Sequence, residues 1–177
     1  MKKILAVAVA CIALGAGAVP AGASSPAGGT ITKARRSVAW SGATFIVSDP
    51  APDPITGDLY TPSCQTDPMC DHFALKINLG DNAAVDIRET TARPNPPGTF
   101  AGIQSLQPVT GDDYDLYVYD PSGKLVGVAN DEKGNQHVTI THRKKFNGKA
   151  YDVAVRAWAV APGSTYHGTA RALTIGR

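Results

Sequence analysis

Residues 111–126 read GDDYDLYVYDPSGKLV. Side chains alternate faces along a strand, so Tyr114, Leu116 and Val118 share one side. Asp113, Asp115, Tyr117 and Tyr119 share the other. The first set is core-forming and the second pairs two carboxylates with two phenols. Asp120-Pro121-Ser122-Gly123 follows as a turn: proline presets φ at the second position and glycine tolerates the positive φ that closes it. The stretch therefore predicts a β-hairpin joining strands near 113–119 and 124–129. It offers Asp113, Asp115, Tyr117 and Tyr119 as a ligand-binding face.

The same alternation recurs on both sides of this hairpin. In HFALKINL, Phe73, Leu75, Ile77 and Leu79 fall on one face; in YDVAVRAW, Tyr151, Val153, Val155 and Ala157 do so. One buried and one wetted face is the antiparallel habit. Strands are expected near 37–47, 71–79, 83–89, 113–119, 124–129, 136–141, 150–158 and 166–175. No helical periodicity is sustained in this part of the chain. The fold class is all-β: a jelly-roll-like antiparallel β-sandwich of about eight strands.

The N-terminus reads differently. MKK precedes the apolar run ILAVAVACIALGAGAV, and PAGASS supplies Ala21 and Ala23 at the −3 and −1 positions of a cut before Ser24. This is the pattern of a secretory signal peptide, residues 1–23. The run is short of the ~20 apolar residues of a spanning helix, and Cys11 leaves with it. Lys2 and Lys3 also leave, so the formal charge of +2 falls to zero. Neither nucleic acid nor a membrane surface is called for as a partner. Residues 24–36 read as a flexible N-terminal segment, and 37–177 as one domain with its own core. Secretion to the extracellular space favours a disulfide between Cys64 and Cys70 in CQTDPMC. A zinc pair would need about four ligands and CxxC spacing.

The order CDHFALKINLG, AAVDIRE, DYDLYVYDPSGKLVGVAN, GKAYDVAVRAWAV, YHGTARAL resembles the bacterial pre-peptidase C-terminal (PPC) domain, over roughly residues 37–175. The resemblance extends to the collagen-binding modules of clostridial collagenases. It implies a small jelly-roll sandwich that accompanies exported enzymes and is not itself catalytic. Such modules are commonly appended to a catalytic domain, and this chain shows none. Its Pro-rich segments 48–70 and 90–112 are also longer than the family needs. The collagen-binding relatives bind calcium, which makes calcium a cofactor to test here, with Asp113, Asp115 and Asp131 as ligands. No EF-hand spacing supports it, and no other cofactor is expected.

The remaining chemistry is sparse. His72, His137, His142 and His167 are scattered. GxSxG, HExxH, GxGxxG and phosphate-loop patterns are missing. HRKKFNGK (142–149) reads as a polar hairpin loop. The functional expectation is a secreted non-catalytic binding or interaction module for an extracellular polysaccharide or protein. Two alternatives stand beside it: a structural or assembly companion of a secreted enzyme, and an enzyme without a recognisable motif.

Overall fold

The computed structural model describes residues 23–45, 63–67, 69–92, 111–130 and 135–177. Nine strands are found among them: β1 (Gly28–Thr32), β2 (Ser37–Ser41), β3 (Asp71–Asn78), β4 (Ala84–Thr91), β5 (Asp113–Tyr119), β6 (Leu125–Ala129), β7 (His137–Thr141), β8 (Ala150–Ala159) and β9 (Tyr166–Ala172). They form a five-stranded sheet, β1-β3-β8-β5-β6, and a four-stranded sheet, β2-β9-β4-β7. The two sheets make an all-β sandwich. The antiparallel pairings β4–β7, β3–β8 and β2–β9 nest around the β5–β6 hairpin.

The alternating sequences build these strands as expected. Phe73, Leu75 and Ile77 of β3, Val85 and Ile87 of β4, and Leu116 and Val118 of β5 are fully buried between the sheets. Each such side chain contributes about 1.5–3 kcal/mol. The Asp120 turn forms as read: Gly123 N donates to Asp120 O at 2.8 Å, Ser122 N donates to Asp120 Oδ1 at 2.8 Å, and Gly123 has φ 82°. In the 142–149 loop a 3-10 turn, Lys144–Phe146, buries Phe146 edge-on against Tyr151, with its lysines in solvent.

The N-terminal segment departs from expectation. Residues 28–32, expected to be flexible, form β1 and pair in parallel with β3. Ile31 is fully buried and Ser24 is nearly so. Residues 24–32, ahead of residue 37, are therefore packed into the sandwich. Ile31 is the single large apolar residue of this stretch, too little for a periodicity test. β2 also ends at Ser41; Phe45 makes an isolated bridge to Ser164 instead.

Between the sheets, Trp40 of β2 lies flat on Phe73 of β3, with ring centroids 3.9 Å apart and planes 8° apart. Trp40 pairs with Gly168 of β9, and a Cβ at Gly168 would run into the indole. Glycine is thus the residue that gives the indole its place. Gly168→Ala is expected to lower stability by about 1–3 kcal/mol, the cost of overpacking, as a fall in the urea midpoint with an unchanged slope. An unchanged midpoint would show that the stack is not tight.

Candidate functional site

Asp115, Tyr117 and Tyr119 lie on the outer face of the five-stranded sheet, where β5 pairs with β8. Asp115 stands opposite Arg156, Tyr117 opposite Ala154, and Tyr119 opposite Asp152. The sequence predicts this face; it does not predict its cover. Cys64 and Cys70 are joined by a disulfide with Cα atoms 5.6 Å apart. They pack with Tyr119, Ala154 and Tyr117 in a second, smaller apolar cluster. Ser63 and Tyr119 share a hydrogen bond of 3.2 Å between their hydroxyls.

The polar members of the face bond to one another. The Tyr117 hydroxyl donates to Asp115 Oδ2 at 3.0 Å. Arg156, only 2% exposed, donates through one terminal nitrogen to Asp67 Oδ2 at 3.3 Å and lies 5.7 Å from the centre of the Tyr117 ring. Burial pushes the Asp115 carboxyl above its ordinary value, opposed by the Tyr117 hydrogen bond and the Arg156 charge. Tyr117 is pushed up by burial and by Asp115. A face expected to be open to solvent is therefore closed, because the disulfide loop supplies an acidic partner and an apolar cap to side chains that would otherwise be wet. Only Tyr117 keeps partial exposure.

Asp113 is not part of this face. The β5–β8 register shifts between Asp113 and Tyr114, where Trp158 of β8 is the extra residue, and a bulge disrupts the ladder and bends the sheet locally. The charges of Asp113 and Asp112 act on Glu89 of β4, whereas Asp115 responds to Tyr117 and Arg156. The two aspartates expected to reach one calcium ion thus belong to different neighbourhoods. Asp131 lies outside the described residues. Among the described residues, no three His, Cys, Asp or Glu side chains are placed to hold a metal ion.

Two features flank the covered face. On one side His72 Nδ1 meets Asp152 Oδ1 at 2.9 Å, both side chains about one-third exposed. The Asp152 hydrogen bond raises the His72 pKa against the opposing effect of burial. On the other side runs β6. Val128 pairs with Tyr117 and Leu125 with Tyr119, which puts both on the outer side. Leu125, Val126 and Val128 are 44%, 38% and 48% exposed. Gly127 turns inward, and a Cβ there would meet Val138 Cγ2 at 2.6 Å. Glycine thus lets β6 close on β7. Among the described residues no strand pairs with the outer edge of β6.

Of the other histidines, His142 is part of the core and His137 and His167 are exposed. His142 is buried, with Nδ1 3.1 Å from the Tyr151 hydroxyl and Nε2 2.8 Å from Asn147 Oδ1. Burial lowers its pKa. These distances suit a neutral ring that donates from Nε2 and accepts at Nδ1. His137 Nε2 lies 3.3 Å from Asp86 Oδ1.

No protein-family model matches the chain, and no curated protein is similar to it. The resemblance to pre-peptidase C-terminal domains therefore rests on the residues quoted above.

Glu89 points between the sheets and is 1% exposed. Burial pushes its carboxyl from the ordinary 4.5 up to about 9, with Asp113 and Asp112 adding to the rise. An acid raised by folding stabilises fully below its unfolded pKa and loses that contribution as pH climbs through the folded value. Stability should decline between about pH 4.5 and 9, by up to roughly 1 kcal/mol per pH unit. Glu89→Gln should flatten this slope and raise the melting temperature at pH 8. Parallel pH profiles of wild type and variant would contradict the assignment.

Proposed function

We propose that this is a secreted, non-catalytic interaction module, jelly-roll-like and related to pre-peptidase C-terminal domains, that binds a protein partner along β6. The nested strand pairing supports the jelly-roll reading. The observation that carries the binding reading is the row Leu125, Val126 and Val128 on an edge strand without a charge or proline. Soluble proteins usually guard such edges with lysine, proline or a covering segment. An extended segment of a partner can add to the edge by main-chain hydrogen bonds while its alternate side chains cover the aliphatics.

A polysaccharide fits less well. Sugar binding uses open aromatic platforms with one polar tip, and here Tyr119 is buried while the Tyr117 hydroxyl is engaged by Asp115. Catalysis also lacks support. Hydrogen bonds among the described residues bring no hydroxyl or thiol to the His72–Asp152 pair. A companion of a secreted enzyme is the narrower form of the same reading, since it would use the same edge.

The test exposes the exported protein to collagen, chitin, cellulose and cell wall, each with calcium and with chelator. In parallel, a photo-cross-linker at Val128 is compared with one at Thr139 on the β7 edge, in the organism's own culture medium. We expect no polymer retention. We expect one discrete protein adduct from position 128 alone, reduced at least tenfold by Leu125→Asp with the melting temperature within about 3 °C of wild type. Polymer retention that survives Leu125→Asp and Val128→Asp but is lost in Tyr117→Ala would contradict the proposal.

A further inference from the structure

Asp71, at the start of β3, accepts four hydrogen bonds. Its Oδ1 accepts from Ser24 N at 3.0 Å. Its Oδ2 accepts from Ser24 Oγ at 2.7 Å, Ala43 N at 2.8 Å and the Tyr166 hydroxyl at 2.7 Å. Asp71, Ser24 and Tyr166 are all buried. The group joins the five-stranded sheet through Asp71 to the four-stranded sheet through Tyr166. The paired backbone bonds of Ser25 with Ser41, 2.8 and 2.9 Å, hold the N-terminal segment in place beside it. All four donors are neutral, and among the described residues no lysine, arginine or histidine forms an ion pair with Asp71. A buried carboxylate ordinarily takes a cationic partner.

The sequence places a cut at this point. Ala21 and Ala23 precede Ser24 in the small-x-small pattern of signal-peptide cleavage. We propose that export cleaves the chain before Ser24, and that the α-ammonium group so made is the counter-ion of the buried Asp71 carboxylate. Water adds across the Ala23–Ser24 amide, catalysed by a signal peptidase. Ala23 departs as a carboxylate, and the Ser24 nitrogen becomes a primary amine that takes a proton at neutral pH. The nitrogen already sits at hydrogen-bond distance from Asp71 Oδ1, so no rearrangement is needed. Ala23 is exposed, so the position it vacates opens to water, which can serve the remaining N–H donors. Charge-assisted bonds are roughly twice as strong as neutral ones. The inference rests on the export reading made from the sequence, and on no part of the proposed binding surface.

The titratable groups around the new terminus are few. Asp71 and Tyr166 face it, and burial keeps the Tyr166 phenol protonated well above its usual range. His72 follows Asp71 on β3 and pairs with Asp152. His167 lines a shallow trough beside Ser25. An amine held by a carboxylate stays charged to higher pH. Its stabilisation is full below the unfolded value near ~8 and is lost as pH rises through the higher folded value.

The test exports the full chain and reads the cut from the intact mass. A second chain carries Ala-Gly inserted between Ala23 and Ser24, which moves the amine two residues away and leaves an amide at Ser24. We expect a product of residues 24–177 whose α-amine reacts with an acylating reagent at pH 7 at least tenfold more slowly than that of the inserted chain. We expect it to melt roughly 5 °C higher, a gap that closes above pH 10 and is absent in an Asp71→Asn background. A product starting at Ser24 whose amine reacts as fast as that of the inserted chain overturns the ion pair while export stands. A product starting elsewhere overturns it likewise. A chain retained whole overturns the export reading and the ion pair together.

Discussion

The stack of Trp40 on Phe73 is the contact from which the sandwich is built. It brings a ring from each sheet to 3.9 Å, and it demands a strand partner with no side chain, which Gly168 supplies. Once the rings are fixed, the alternating apolar residues of β3, β4, β5 and β8 have one way to face. Shifting any of them by one residue would expose its whole buried set. The polar end of the interior is closed by Asp71, bonded to Tyr166 and to the N-terminal segment.

What distinguishes this sandwich is its outer layer. β5 is buried along almost its full length on both sides, which is unusual for the outer face of a two-sheet fold. The cause is the Cys64–Cys70 loop, which covers Tyr119 and Ala154 and brings Asp67 to Arg156. An arginine buried this deeply needs carboxylates nearby, and Asp67 and Asp115 supply them. The cover redirects function. Side chains that would have been a binding face become the inside of a closed network, and the open apolar surface moves one strand outward to β6.

Much of the fold was legible because period-2 alternation is a strong signal where one face is buried. HFALKINL, YDVAVRAW and DYDLYVY each declared a strand, and Asp120-Pro-Ser-Gly declared its turn. β1 was not legible: GGTIT has a single buried aliphatic, and its place is set by parallel pairing with β3. The candidate site was legible in part. The residues sharing the outer face could be named from spacing, including the β8 set to which Arg156 belongs. That a loop from residues 63–70 would fold over them is a long-range fact with no local signature. The bulge opposite Asp113 and Tyr114 was equally silent, since nothing in YDVAVRAWAV says that Trp158 is the extra residue. The exposed β6 aliphatics could have been suspected from KLVGVAN, where no residue from 125 to 129 is charged.

The central claim is that the outer face of β5 is closed and the β6 strip is open. Methyl and aromatic NMR with a soluble paramagnetic relaxation agent tests it directly. Strong broadening at Leu125 and Val128, with Tyr119, Ala154 and the Arg156 side chain protected, is the predicted result. Tyr119 and Arg156 broadened as strongly as Val128 would contradict it and return the binding face to β5.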